Sequence, residues 1–253
     1  MEIKLSAVII TYNEEKNLAR CLNSISDIVD EIVIVDSFSK DKTEEIANNY
    51  NARFIKNKFL GHIEQKNFAI TKAKYKHVLS LDADECLSET LRKNIIRTKK
   101  NWEYDGYSFN RLTNYCGHWV RYCGWYPDKK LRLWDSTKGS WKGQNPHDEF
   151  MLKFGTRKGY LKGDLLHYSI SSIEDHLKVI DNFSTIAAKE MFKKRIKYPV
   201  IRSWIHPIAK FLKQFVIRFG FLDGIIGFKV CYNSAFSTYL KYKKLAIMYD
   251  QEH

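Results

Sequence analysis

Three carboxylates stand within four residues at Asp82-Ala83-Asp84-Glu85, directly after the apolar run His77-Val78-Leu79-Ser80-Leu81. Like charges this close repel, and a folded chain tolerates them where a cation or several hydrogen-bond donors sit between them. The apolar run reads as a short buried strand. The acids therefore emerge together at a strand's carboxyl end, where open α/β sheets bind ligands. Oxygen ligands on such a loop suit Mg2+ or Mn2+. A divalent ion held by one or two carboxylates completes its shell with substrate phosphates, so the spacing suggests a metal-bridged phosphate or diphosphate.

Two other strand ends carry polar groups. Thr11-Tyr12-Asn13-Glu14-Glu15 closes the first apolar run. Glu14 can accept from a ribose hydroxyl and Asn13 can contact a base, although Glu14 and Glu15 equally suit a helix N-terminus. Asp36 closes the second run; an ionised Asp only accepts, so it can read a uracil 3-NH or sugar hydroxyls, or serve as a turn residue. Neither G-x-G-x-x-G nor G-x-x-x-x-G-K-[ST] occurs in the chain. A dinucleotide fingerprint and a P-loop are thereby removed, leaving side chains at strand ends to hold any nucleotide.

The elements that must position these groups alternate. Leu5 to Thr11 and Glu31 to Asp36 are apolar and β-branched, as buried parallel strands are. Leu18, Cys21, Leu22 and Ile25 give Glu14 to Ser26 a helical period. A turn at Ser39 to Thr43 leads into a helix reaching Tyr50, capped by Asp41 or Thr43. A short strand is expected at Ala52 to Ile55, a helix at Ile63 to Ala73 and a strand at His77 to Leu81. Strands alternating with helices imply a parallel sheet with right-handed crossovers. After a helical stretch at Ser88 to Lys100, the tract from Tyr104 to about Phe154 is rich in aromatics, glycine and charge, which suits short strands and long loops. The chain turns helical from about Ser172, with segments predicted at Ser203 to Phe219 and Ile225 to Tyr242.

The 253 residues suffice for one sizeable domain with an appendage, and a hydrophobic fraction of 44% supports a real core. A formal net charge of +13 points to anionic partners: nucleotide phosphates, nucleic acid or an anionic membrane. From Ile186 onward there are 13 Lys and Arg against 4 Asp and Glu. A basic, aromatic, amphipathic helix pair fits an interfacial membrane anchor, a helical cap or a dimer interface. The five cysteines, Cys21, Cys86, Cys116, Cys123 and Cys231, include no C-x-x-C pair. They read as free thiols, with Cys116 and Cys123 able to pair or to bind metal with His118 as the alternative. Met1 leads straight into a strand pattern, and no window holds about 18 uncharged apolar residues, so neither a signal peptide nor a spanning helix is expected. The expected location is the cytoplasm or the cytoplasmic side of a membrane.

Taken together, the Thr11-Tyr12-Asn13-Glu14-Glu15 segment, Asp36-Ser37 with Asp41-Lys42-Thr43, Gln65-Lys66-Asn67 and Asp82-Ala83-Asp84-Glu85 resemble the family 2 glycosyltransferases of the GT-A fold. Tyr126 to Trp134, Pro146-His147-Asp148-Glu149 and His167-Tyr168-Ser169 extend the resemblance toward bacterial transferases of lipopolysaccharide core or related surface glycans. The resemblance implies an α/β fold, a Rossmann-like, mixed but mainly parallel sheet flanked by helices. A catalytic domain would occupy residues 1–171 and a helical, basic, membrane-associating extension residues 172–253. It also implies inverting transfer from a nucleotide-diphospho-sugar, with UDP-glucose as one guess, to a lipid-linked saccharide at the cytoplasmic face of a bacterial inner membrane. Thr11, Asn13, Glu14 and Asp36 would hold the nucleotide, Asp82 the ribose or sugar, and Asp84 with His167 the Mg2+ or Mn2+. Lys66, Arg132 and Lys129 would offset leaving-group charge, and Asp148 or Glu149 would be the base, with His147 orienting it or binding diphosphate. The alternatives are a metal-dependent nucleotidyltransferase and a basic nucleic-acid-binding module; for the latter no recognisable signature appears.

Overall fold

A computed structural model describes residues 2–144 and 147–252. They fall into two compact units, residues 1–111 with 128–168 and residues 112–127 with 169–253.

In the first unit β1 (Leu5–Thr11), α1 (Leu18–Asn23), β2 (Glu31–Asp36), α2 (Thr43–Asn49), β3 (Arg53–Lys56), α3 (His62–Lys72) and β4 (His77–Asp82) alternate strand with helix. The strands lie side by side in the order β3-β2-β1-β4, all parallel. Buried apolar side chains on both faces drive this arrangement. Leu5, Ala7 and Ile9 of β1 point into one core with Leu18 and Leu22 of α1, while Val8 points into a second core with Ala69 of α3. Such two-sided burial belongs to a sheet covered by helices on both faces. The register aligns Thr11 with Asp36 and Ile10 with Asp82, so the three polar strand ends are neighbours at one edge.

Next come β5 (Glu85–Leu87), α4 (Glu89–Lys100), β6 (Gly106–Tyr115), β7 (His118–Val120), β8 (Asp128–Asp135), β9 (Gly139–Gln144), β10 (His147–Leu152) and β11 (Lys158–Ile170). The sheet continues from β4 through β8, β6 and β11 to β5, with β8 antiparallel to β4 and β5 antiparallel to β11. The result is the expected α/β architecture, a mixed sheet with a parallel half. β9 and β10 form a separate antiparallel hairpin, packed through Trp141 and Phe150 against Trp134.

One expected helix is shorter than its apolar period. Asn13 adopts a left-handed conformation (φ 55), and the backbone N–H groups of Glu14 and Glu15 donate to Thr43 and Asp41 rather than waiting for a helical turn. Helix α1 therefore starts at Leu18 instead of Glu14.

The second unit holds β7, the end of β6 and the helices α5 (Ile173–Lys193), α6 (Pro199–Leu212) and α7 (Gly224–Asp250). Residues 112–127 and 169–171 thus pack with the helices. The predicted helix from Ser203 to Phe219 is α-helical only to Leu212, then passes through a π turn at Lys213–Ile217. A hydrophobic period over one turn does not distinguish the two windings. Gly227 makes the return possible: a Cβ there would lie 1.9 Å from the Gly220 carbonyl oxygen. Inside the unit the Tyr115 hydroxyl meets His176 Nδ1 at 3.0 Å and accepts from Asn233 Nδ2 at 2.9 Å. Burial pushes the His176 imidazole below its usual range. All five cysteines are free thiols. Among the described residues no helix is long and apolar enough to cross a membrane.

Candidate active site

The loops after β1 and β2 are laced together. The Thr11 hydroxyl and the Ser39 backbone N–H donate to the two oxygens of Asp36 at 2.8 and 2.7 Å, and Asp36 is completely buried. Asn13 accepts from the Lys40 N–H at 2.9 Å, while its own N–H donates to the Ser39 hydroxyl at 2.8 Å. Asp36, Thr11 and Asn13, expected to hold a nucleotide, also brace the two loops against each other. Glu14 remains partly open. Burial raises its carboxyl above the ordinary range, and nearby Asp84, Asp41 and Asp82 add to this against a hydrogen bond from Asn17.

The acids of the opening run divide: Asp82 and Glu85 share Arg132, and Asp84 does not. Asp82 accepts from Lys66 Nζ at 2.9 Å and from an Arg132 guanidinium nitrogen at 2.6 Å. Burial would lift its carboxyl, but Arg132 and Lys66 outweigh this and hold it well below the usual carboxylate range. Glu85 is buried, accepts from the same Arg132 nitrogen at 2.9 Å and from the Asp82 N–H at 3.0 Å, and lies 3.5 Å from Arg111. Only Asp84 turns elsewhere, to His167 Nε2 at 3.1 Å. The antiparallel pairing of β5 with β11 sets His167 opposite Glu85, and the Tyr168 N–H donates to the Asp84 carbonyl at 2.9 Å. Strand register thus joins positions 84 and 167.

Helix α3 supplies three consecutive contacts. The Gln65 amide donates to the Ser37 hydroxyl at 3.1 Å. Asn67 makes reciprocal bonds with the Trp141 backbone, each 3.0 Å, and so docks β9. Between them Lys66 sends its buried ammonium to both Asp82 and Asp148, the latter at 2.8 Å, with the Trp141 ring 4.5 Å away. Asp148 shares the inward face of β10 with Phe150, whereas Glu149, one residue on, is exposed on the opposite face beside Lys142. Of the two expected bases the structure brings only Asp148 to the site. Glu149 is turned away by the alternation of the strand. Pro146 and the His147 side chain lie outside the described residues. Lys129 is exposed over the Tyr160 ring, 5.5 Å from its centre, and is not among the site's ion pairs.

Asp84 and His167 are the pair that could share a divalent ion; their 3.1 Å separation is that of a direct hydrogen bond or ion pair. The described residues contain no group of three His, Cys, Asp or Glu able to hold a metal. An ion bound here would complete its shell with phosphate oxygens and water. A mixed imidazole and carboxylate pair suits Mn2+ at least as well as Mg2+.

Residue-by-residue reading of the sequence missed Arg111 and Trp141 and gave Glu85 only a supporting part. The signal for Glu85 was its place in the acidic run. No sequence signal pairs it with Arg132, because that contact depends on β8 lying beside β4.

Comparison with known proteins identifies the family. The model for glycosyl transferase family 2 matches residues 6–163. An uncharacterized glycosyltransferase of Rickettsia typhi is 33% identical over 252 residues, covering 96% of this chain and 86% of that protein. The lipopolysaccharide core biosynthesis glycosyltransferase LpsC of Rhizobium meliloti is 26% identical over 255 residues, covering 96% and 92%. Among solved structures, S. aureus TarS aligns with a TM-score of 0.50 and 15% identity over 92% of this chain; the chain spans 55% of that structure's length. The likeness to TarS concerns the fold. This chain belongs to glycosyl transferase family 2, which sets aside the nucleotidyltransferase and nucleic-acid-module readings.

Proposed function

We propose that this family 2 glycosyltransferase moves a sugar, with inversion, from a nucleotide-diphospho-sugar such as UDP-glucose to a hydroxyl of a lipid-linked saccharide. The acceptor would be of the lipopolysaccharide core kind, and the enzyme would work peripherally at the cytoplasmic face of a bacterial inner membrane. The observation that carries the reading is the Lys66 ammonium bridging Asp82 and Asp148. That bridge joins the carboxyl end of the parallel half, where a donor would lie, to the one inward-facing carboxylate of β10.

Inversion is a single in-line displacement. The acceptor oxygen forms a bond to the anomeric carbon, the bond from that carbon to the diphosphate oxygen breaks, and the acceptor's proton must leave. Asp148 takes that proton, held in position by Lys66. Asp82, fixed as an anion by Arg132 and Lys66, accepts from donor hydroxyls, since an ionised carboxylate only accepts. Glu14 stands beside Asp84 and Asp82 as a further acceptor for the donor. Mg2+ or Mn2+ bound by Asp84 and His167 would neutralise charge on the departing diphosphate. Lys66 and Arg132 add positive charge to the same region.

A positioned general base contributes about 10²–10⁴ in rate. Asp148→Asn should lower kcat by that factor and leave donor affinity within about threefold of wild type, whereas Glu149→Gln should leave kcat unchanged. If Asp148→Asn retains full turnover with UDP-glucose, or with whichever nucleotide-sugar the enzyme accepts, Asp148 is not the base.

A further inference from the structure

Helix α6 has an apolar face that is more than half exposed, with Trp204 meeting the ring of Tyr239 of α7 at 6.4 Å between centroids. Ile201, Trp204, Ile205, Ile208 and Leu212 follow the i, i+3, i+4, i+7, i+11 spacing of one helical stripe, and each is between 51% and 67% exposed. The only buried residue of α6, Ser203, lies on the other side. The exposure continues through the turn into α7, where Ile225 is 74% exposed. Between Tyr198 and Ile225 there are 13 large apolar side chains at least 47% exposed. Contiguous exposed apolar surface beyond a few hundred Å2 marks an interaction site.

The charge on this segment says what kind of partner fits. From Lys197 to Lys244 there are nine Lys and Arg and a single acid, Asp223. Asp223 is buried and already accepts from the backbone N–H groups of Arg121 and Tyr122. A second copy of the chain meeting this face would bring the same cations against it. Anionic lipid headgroups would supply the missing counter-charge while the acyl boundary accepts Trp204, Ile208 and their neighbours.

We propose that the exposed stripe of α6, with the turn into α7, docks the second unit in the interfacial plane of an anionic bilayer, apolar side chains inserted and flanking lysines and arginines on headgroup phosphates. This rests on the lipid-linked acceptor reading and names the surface on which that acceptor would be met.

The full chain should sediment with vesicles of phosphatidylcholine and phosphatidylglycerol, bind vesicles of phosphatidylcholine alone far more weakly, and lose affinity as salt rises. Each cation near an anionic surface is worth about a fivefold change in affinity. The Lys210→Glu/Lys213→Glu variant should therefore bind at least about 25-fold more weakly, and Ile205→Asp/Ile208→Asp should not bind. All four side chains are exposed, so both variants should melt as wild type does. Equal vesicle binding by the variants, or indifference to anionic lipid, would overturn the proposal. So would a wild-type dimer that ignores vesicles and that Ile205→Asp/Ile208→Asp converts to a monomer. Calorimetric titration with UDP-glucose and Mn2+ in the absence of vesicles separates the two readings: lost vesicle binding with intact nucleotide-sugar binding sinks only the docking face, and the reverse sinks only the choice of donor.

Discussion

Replacing Lys66 with methionine tests the centre of the site, because methionine keeps the volume of the stem and removes the charge. The ammonium is almost fully enclosed, its side chain 6% exposed, and serves Asp82 and Asp148 at once. Asp82 retains Arg132 at 2.6 Å, so the loss falls mainly on Asp148, itself only 11% exposed. At the 2.8 Å separation and an effective dielectric of about 20, the gross attraction is about 6 kcal/mol. Desolvation of the ammonium offsets part of this, and breaking a buried pair by removing one partner costs about 3–5 kcal/mol. Asp148 has some access to water, so about 3 kcal/mol is the expected loss. A protein of ordinary stability, about 5–15 kcal/mol, survives it. Urea unfolding followed by tryptophan fluorescence measures the loss, with Trp141 beside the ammonium as a local reporter. Removing the stranded charge as well should help, so Lys66→Met/Asp148→Asn should recover about half of the deficit. A loss below about 1 kcal/mol in the single variant, or a double variant showing the plain sum of the two single losses, would refute the idea that this bridge holds the site together.

Two further outcomes are expected. Asp84→Ala and His167→Ala should each weaken Mn2+-dependent binding of a uridine diphosphate-sugar at least tenfold while leaving urea stability within about 1 kcal/mol; equal affinity with and without Mn2+ in wild type would remove the metal role. Remote from the site, burial would raise the Asp30 carboxyl, but Lys4, the Leu5 N–H and Lys99 hold it at about 2. A depressed carboxyl stabilises the fold above its unfolded value of about 3.9 and ceases to do so as pH falls through about 2. Allowing for solvent around this exposed residue, Asp30→Asn should cost about 1 kcal/mol at pH 7 and almost nothing near pH 2, as read from unfolding curves at the two pH values.

What the sequence disclosed divides along physical lines. The parallel half was legible because two-sided burial leaves an unbroken apolar run: Leu5 to Thr11 and Glu31 to Asp36 are strands with the boundaries their composition implies. Lys66 was legible only as part of a motif, since nothing local tells a buried lysine from a solvated one. Asp36 and Asn13 carry a second role that composition does not show: their residue types suit nucleotide recognition, and in this fold they also tie one loop to the next through backbone N–H groups. Glu149 was indistinguishable from Asp148 until the pleat of β10 sent them to opposite faces. Arg111 and Trp141 escaped because their contacts arise from antiparallel neighbours far away in the chain, and such register carries no local signature.

The acidic run turns out to need less from a metal than its spacing alone suggests. Two of its three carboxylates are neutralised by the protein: Asp82 by Lys66 and Arg132, and Glu85 by Arg132 with Arg111 nearby. With Asp148 included, four carboxylates face three permanent cations, and Arg111 divides its charge with Asp128 at 2.9 Å. The site is therefore slightly negative, and Asp84 is the acid that no Lys or Arg of this network pairs. Its partner His167 carries charge only when protonated. A diphosphate arriving unaccompanied would meet that surplus and be repelled, whereas one arriving with a divalent ion would be drawn to Asp84. On the proposed reading, the surplus carboxylate would make donor and cation binding mutually dependent. The fixed pairs hold Asp82 and Asp148 without calling on Asp84, so on that reading charge selection at Asp84 and proton transfer at Asp148 fall to different residues.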